Sequence, residues 1–462
     1  MQTDAKPAAV HMPLRDVWAV FLVLLAAFHF VFHDLVPLPG GRMGHDYNFV
    51  LTNWLDGYIW FRNNGLAAPW FTPSFCAGQP FFPDPQSTFY SLPQFLYFIL
   101  GPTSTAYAVM MICAALAFWG GYLLMRRAFG AGTVVATFVG ALLMFNGFLP
   151  YRIAVGHVGY HGFALVPWIA LLLLASYRNR LNEAAGAVLA GVLIAYWIHA
   201  GFGTLALAGG LAVALLGVAQ ALRGGSLLRF AARGVAAGAV GACLAAAKLS
   251  ASFAYLANFP RTSYLLPGAA SITDGVIAIL SALFLPSQAV AEHNAARYTN
   301  VQWGLGPHEW AFSFGLATAV LALVLIVHLL YVKAWRPSVP SQRIGLWLLL
   351  ALGLIWPLAF NTYDPDWNSF LKSLPILNTA STPTRWIVVY IPIIAVAIGL
   401  LLNSARWKPG LTMAAAGICV LLNVVQTATE PRDFYESQGY DARPIVIADR
   451  LIRAGTSTPA ID

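Results

Sequence analysis

Apolar residues in this chain come in long unbroken runs rather than in the short alternations of a soluble fold. Eleven of these runs approach the roughly 20 residues that cross a hydrocarbon core. They cover 16 to 36, 104 to 125, 131 to 150, 161 to 177, 184 to 203, 204 to 222, 234 to 256, 309 to 331, 344 to 361, 385 to 403 and 410 to 428. Two shorter runs, 89 to 100 and 276 to 285, are flanked by prolines and predict interfacial or re-entrant helices. A different pattern follows the first run. Tyr47, Val50, Leu51, Trp54, Leu55, Tyr58 and Ile59 fall on one stripe at helical spacing, while Asn48, Thr52, Asn53 and Asp56 lie elsewhere. This spacing predicts an amphipathic helix lying on the membrane surface. The expected fold is all-α: a polytopic helical membrane protein with about 11 spans. It forms one transmembrane domain over 1 to 462, with a first outer loop over 37 to 103 and a short outer tail over 429 to 462.

Composition agrees with this pattern and removes other classes. With 462 residues, 59% hydrophobic and 10% charged, the chain fits neither a soluble globular domain nor a disordered one. The first run is too long for a signal-peptide core and ends in His33-Asp34-Leu35 without small residues, so it is expected to remain as a span. A net charge of +8 raises the question of nucleic acid, but no basic stripe with interleaved aromatics is present. The basic residues instead punctuate the ends of apolar runs. Arg126-Arg127, Arg178 to Arg180, 223 to 233, 333 to 343 and Arg406 to Lys408 alternate with basic-poor connections, which sets the basic group inside. The amino terminus is then expected inside and the carboxy terminus outside. On that phase only Asp4, Asp16 and Glu183 of the 18 carboxylates fall on the inner side. Chemistry is expected on the outer face, which also carries the longer loops. Cys113, Cys243 and Cys419 sit in apolar runs and Cys76 in a loop, which offers neither a disulfide framework nor a zinc motif.

The first outer loop supplies the acids. Asp46, at the start of the predicted surface helix, could take a proton from an acceptor hydroxyl or hold a divalent cation beside a phosphate, or it could simply cap that helix. Asp84, between Pro83 and Pro85, is held by a stiff backbone, but Pro-Asp-Pro is also an ordinary turn. Asp56 lies away from Asp46 around the helix and is expected to be solvated. Basic residues at the outer ends of spans form a second set: Arg152, Lys248, Arg261 and Arg385, with His157, His161 and His199. A phosphate at the membrane surface needs such partners. Lys248 stands inside an apolar run, where a charge is expensive unless it faces a cavity or a partner. Arg261 and Arg385 stand at span boundaries, where snorkelling competes with function. His157 and His161 have the spacing of a zinc pair but no accompanying acid or cysteine, so hydrogen bonding to a phosphate or sugar hydroxyl is the preferred reading. Glu309 is read as part of a helix start, with a second acid as the alternative.

These residues carry a resemblance. An early outer loop with an acid after the first span, a surface helix and a multi-span core resembles the GT-C type of membrane glycosyltransferases. Gly78 to Gln86, Phe89-Tyr90-Ser91-Leu92-Pro93, Gly156-His157, the Lys248 to Arg261 region, Leu374-Pro375-Ile376 and Pro383-Thr384-Arg385-Trp386 resemble the YfhO-like bacterial membrane proteins. The chain lacks the long carboxy-terminal extension of the larger relatives. The resemblance implies a transferase of the bacterial cell inner membrane that moves a sugar from a polyprenyl-phosphate donor to an outer-face acceptor. Asp46 matches the first-loop acid by position and would be the general base, with Asp84 the second catalytic candidate. Lys248, Arg261, Arg385 and His157 would bind the donor phosphate. The expected partners are the lipid-linked sugar, membrane lipids and an unidentified acceptor, without nucleic acid. No cofactor is identified beyond a divalent cation that Asp46 could hold. A glycan polymerase or ligase, a transporter or flippase of a lipid-linked or anionic substrate, and a scaffold protein remain the alternatives.

Overall fold

The computed structural model describes residues 12–35, 42–75, 78–258, 264–301, 304–332, 343–374, 377–437 and 439–456. Its centre is a helix buried along its whole length. Every residue of the helix Thr133–Met144 is buried, and it packs along Pro102–Arg127. Small residues permit this approach: a Cβ built on Gly140 would lie 2.7 Å from the Phe118 carbonyl oxygen, and one on Gly121 would lie 3.3 Å from Gly140 Cα. The longer helix opens on Pro102 and closes on Arg126 and Arg127, a proline where no amide partner is needed and cations at the negative end. Leu14–Phe32, Tyr390–Ser404 and Pro409–Ala428 pack on this pair, and Leu316–Tyr331 packs on the last two of these. Val166–Leu174 packs on Pro102–Arg127 and against Gly203–Leu222, with Arg180–His199 and Leu227–Leu244 paired beside it.

Among the described residues, eight helices are long and apolar enough to cross a membrane. Three of the eleven expected runs instead carry shorter apolar helices, Val158–Leu174, Leu316–Tyr331 and Ile344–Phe360. The run over 234 to 256 is broken. Leu227–Leu244 ends at Ala245, and a separate helix, Ala246–Leu256, follows. The short runs form Leu92–Ile99 and Ile272–Phe284.

The break at Ala245 explains the lysine. Lys248 is 1% exposed, and its ammonium donates to the carbonyl oxygens of Asp84, at 2.6 Å, and of Phe82. Ser252 Oγ donates to the Pro83 carbonyl at 2.9 Å. The chain turns to press this new helix against the 82–84 bend, and the charge is compensated by carbonyl dipoles.

The expected amphipathic helix forms as Tyr47–Asn64, with Tyr47, Leu51, Trp54 and Leu55 of the apolar stripe buried. Asn53 is buried as well, its amide donating to the Phe49 carbonyl at 3.0 Å. Asp56 is not merely solvated. It accepts from Thr72 Oγ1 and, at 2.9 Å, from Ser74 Oγ, which pins the hairpin of Phe71–Thr72 and Gln79–Pro80 to the helix.

The tail crosses over this loop. Strand Gly439–Asp441 pairs antiparallel with Arg42–Gly44, the strand that leads into Asp46. The helix Arg443–Arg453 then carries Arg453 to the end of Leu92–Ile99. There it donates to the carbonyls of Tyr97 at 2.6 Å, Phe98 at 3.1 Å and Leu100 at 3.0 Å, while Asp449 holds its Nε at 2.9 Å. A cation thus satisfies carbonyls that a helix end leaves open.

Two substitutions test these anchors. Lys248→Met leaves two buried carbonyls without a donor and should lower unfolding stability by about 2 kcal/mol or more. Arg453→Met strands buried Asp449 and should cost roughly 3 kcal/mol, part of which returns in the double variant with Asp449→Asn. Melting curves of the purified variants decide this, and unchanged midpoints would deny both anchors.

Candidate functional site

Two glycines bring the first loop against the chain at 153–156. A Cβ on Gly44 would lie 2.3 Å from the Ala154 oxygen, and one on Gly156 would lie 2.7 Å from the Tyr47 nitrogen. Gly156 also has φ +101, which ends the helix Phe148–Val155 in the left-handed region. The backbones therefore touch. Asp46 N donates to Val155 O at 3.1 Å, and Tyr47 OH donates to Ile153 O at 2.8 Å.

This contact aims Asp46 away from its own helix, where it makes no capping hydrogen bond. Its Oδ2 lies 2.7 Å from His157 Nε2 and its Oδ1 lies 3.0 Å from His45 Nε2. Arg152 Nη1 lies 3.1 Å from His157 Nδ1. A guanidinium only donates, so Nδ1 accepts and the imidazole proton sits on Nε2, directed at Asp46. Burial, then the charges of Arg152 and Arg385, drive the His157 pKa down to about 3 against the opposing hydrogen bond from Asp46. Burial raises the Asp46 pKa, but the hydrogen bond from His157, with the electrostatic effect of the surrounding imidazoles, outweighs it and leaves that carboxyl below its usual value. At neutral pH the pair is a carboxylate and a neutral imidazole.

Behind the imidazole lies a buried ion-pair cluster. Glu309 receives Arg152 Nη2 at 2.7 Å on Oε2 and Arg385 Nη2 at 2.7 Å on Oε1. It stands in the first turn of the short 3-10 helix Pro307–Trp310, not at the start of the long helix, which begins at Leu316. Arg152 is fully buried, with Phe148 and Tyr160 each 5.6 Å from its guanidinium carbon. Burial opposes the Glu309 charge, but Arg152 and then Arg385 outweigh it and hold the acid well below its ordinary range.

Four of the predicted residues meet at one cavity of about 330 Å³: Asp46, Asp84, His157 and Arg385. Asp84 is fixed there by an Asx-type bond from Gln86 N to its Oδ1 at 2.8 Å. Lys248 is not in this set, because its ammonium is committed to the carbonyls that shape the Asp84 bend. Arg261 lies outside the described residues. The His157–His161 pair does not form. His161 bonds Tyr196 OH at 2.6 Å and Val158 O at 2.7 Å, in the core. The sequence reading missed His45, His308 and the role of Glu309. Adjacency to Asp46 was the available signal for His45, while nothing local marks Glu309 as the partner of Arg152.

One group has the composition of a metal site: the ligand atoms of His157, His308 and Glu309 lie within 4.8 Å of one another. Two imidazoles and a carboxylate suit a zinc-like ion. In this arrangement, however, Glu309 is already neutralised by two guanidiniums, and both nitrogens of His157 are engaged. A cation would have to break those bonds and sit beside two positive charges, so the donor set fits hydrogen bonding better than metal ligation.

No protein family model matches the chain, and no curated protein matches it. Among solved structures, a crystal structure of the Archaeoglobus fulgidus oligosaccharyltransferase, in complex with Zn and sulfate, aligns with a TM-score of 0.44 and 14% identity. The alignment covers 88% of this chain and 53% of that one, so the chain spans about half the length of the structure it matches.

Proposed function

We propose that this protein is a membrane glycosyltransferase of the GT-C type, taking a sugar from a polyprenyl-phosphate donor and giving it to an acceptor at the outer membrane face. One observation carries the reading. The Asp46 carboxylate makes no capping bond, is held between His45 and His157, and opens with Arg385 onto a common cavity. A fixed, ionised carboxylate beside a guanidinium is what transfer from a phosphate leaving group requires. Asp46 accepts the proton of the acceptor hydroxyl as its oxygen bonds the anomeric carbon. The bond from that carbon to the phosphate oxygen breaks, and the lipid phosphate leaves with the electron pair. Arg385 uses Nε and Nη2 on Glu309, and among the described residues no partner bonds its Nη1, whose hydrogens stand ready for that phosphate. Neutral His157 donates to Asp46 and fixes its orientation. Asp84 faces the same cavity and is assigned to hold the sugar.

A transporter needs a charge free to meet cargo within the membrane, and Lys248, inside an apolar run, is the residue that would suit one. Its commitment to the carbonyls of Phe82 and Asp84 removes that support.

Purified enzyme with a lipid-linked donor provides the test. Asp46→Asn keeps the size and should lower turnover by about 100-fold or more, the range of a lost general base, with an unchanged melting point. Asp56→Asn, at a residue that does not line the cavity, should leave turnover within a few-fold of wild type. Near-normal transfer by the Asp46 variant would remove it from the chemistry.

The pH profile gives a second check. Asp46 is active when ionised, and its pKa lies below the ordinary 3.8, so activity is lost only as the pH falls through that lowered value. With His157 already neutral, the acid side of kcat/KM should stay flat from pH 7 to about 5. An inflection near 6.5 would make a histidine the titrating base.

The reading also needs eleven membrane passages with the tail outside. A cysteine introduced at exposed Thr456 should react with an impermeant reagent in intact cells lacking an outer membrane barrier. Labelling only after the inner membrane is opened would overturn that topology.

A further inference from the structure

The tail helix Arg443–Arg453 is apolar on two opposite sides. Ile445, Val446, Ala448 and Ile452 pack on the core from one side, where Asp449 is also buried. Arg443, Ile447, Arg450 and Leu451, followed by Ala454, keep the three- and four-residue spacing of a second stripe, and all five are exposed. Ile447 is 56% and Leu451 43% exposed. Arg443 is held by Asp441, whereas the Arg450 guanidinium has no partner among the described residues. We infer that this face is an interfacial anchor, seated by Ile447 and Leu451 at the acyl boundary of the leaflet on the first-loop side and holding an anionic phospholipid headgroup through Arg450.

Position supplies the occupant. Arg453 is tied to Leu100 O at 3.0 Å, and the membrane span Pro102–Arg127 begins just beyond, so the end of the tail helix lies beside the mouth of a span. Leu92–Ile99, whose last carbonyls also receive Arg453, turns Phe95 and Ile99 outward at 41% and 81% exposure, an apolar surface at the same level. A helix surrounded by water gains nothing from a second apolar stripe. One at headgroup depth buries that stripe in acyl chain while the cation beside it meets phosphate. The first-loop helix cannot supply this contact through Tyr47, Leu51, Trp54 and Leu55, which are buried in protein. A neutral surface would satisfy Ile447 and Leu451 alone, and the unpaired guanidinium on the same stripe selects an acidic lipid. Only Ala442 separates this helix from the strand Gly439–Asp441, so the anchor also holds at the membrane the strand that pairs with Arg42–Gly44 ahead of Asp46. None of this depends on transfer chemistry.

Fluorescence quenching reads the depth. The full chain, with its four cysteines replaced by alanine and a bimane attached at Ala454→Cys, is placed in nanodiscs of phosphatidylcholine alone or of phosphatidylcholine with phosphatidylglycerol. Ala454 is exposed on the same stripe, and labelling it leaves Ile447, Arg450 and Leu451 intact. In the anionic discs, lipid carrying a nitroxide near its ester groups should quench the dye more strongly than aqueous iodide does. Ile447→Ser combined with Leu451→Ser should reverse that order. Arg450→Gln should lower the ratio of seated to free helix about fivefold in the anionic discs, the weight of one basic residue at such a surface, and change nothing in the neutral ones. The altered side chains are exposed, so melting curves should not move. The proposal is overturned if iodide is the stronger quencher of the parent in anionic discs, if the serine pair leaves the order intact, or if phosphatidylglycerol and Arg450→Gln have no effect. A dye shielded from both quenchers would also overturn it, because protein and not lipid would then cover the face.

Discussion

One buried carboxylate ties the molecule together. Glu309 joins the turn Pro307–Trp310 to Arg152 on Phe148–Val155 and to Arg385 on Pro383–Val389, three segments far apart in sequence. An isolated charge there would be prohibitive, and Arg152 alone would be equally stranded, so each makes the other's burial possible. Such clusters add little net stability compared with apolar packing, but they fix geometry. Arg152 has one orientation, His157 one tautomer and Asp46 one direction.

The same constraint reaches the first loop through backbone contact rather than through side chains. Gly44 and Gly156 leave no room for a Cβ, so the strand entering Asp46 lies directly on the turn that carries His157. From the other face, Gly439–Asp441 pairs with that strand, and Arg453 closes the end of Leu92–Ile99. Lys248 does comparable work at the Asp84 bend. The acids thus sit on irregular backbone held by partners from across the chain, a rigid support for groups that must meet a ligand.

Much of the architecture could be read from periodicity. The apolar runs became helices, and the stripe from Tyr47 to Ile59 supplied the buried face of Tyr47–Asn64 through Tyr47, Leu51, Trp54 and Leu55, with Ile59 left exposed, because both signals are local. Helix breaks were less legible: nothing in Ala245-Ala246-Ala247 announces the end of a helix, and the turn follows from the carbonyls that Lys248 must meet. Asp46, Asp84, His157 and Arg385 were singled out from position and chemistry and do share a cavity. Lys248 was misread because an apolar context cannot distinguish a charge facing a cavity from one facing a loop backbone. The role of Glu309 was missed because it lies entirely in Arg152 and Arg385, neither of which is near it in sequence.

The most direct test of the account is an experimental structure of the protein bound to a non-cleavable polyprenyl-phosphonate sugar. The account predicts the phosphonate within hydrogen-bond distance of Arg385 and the anomeric carbon in the cavity shared by Asp46 and Asp84. A headgroup bound elsewhere, with Arg385 contacting Glu309 alone and the Asp46 cavity vacant of sugar, would contradict it.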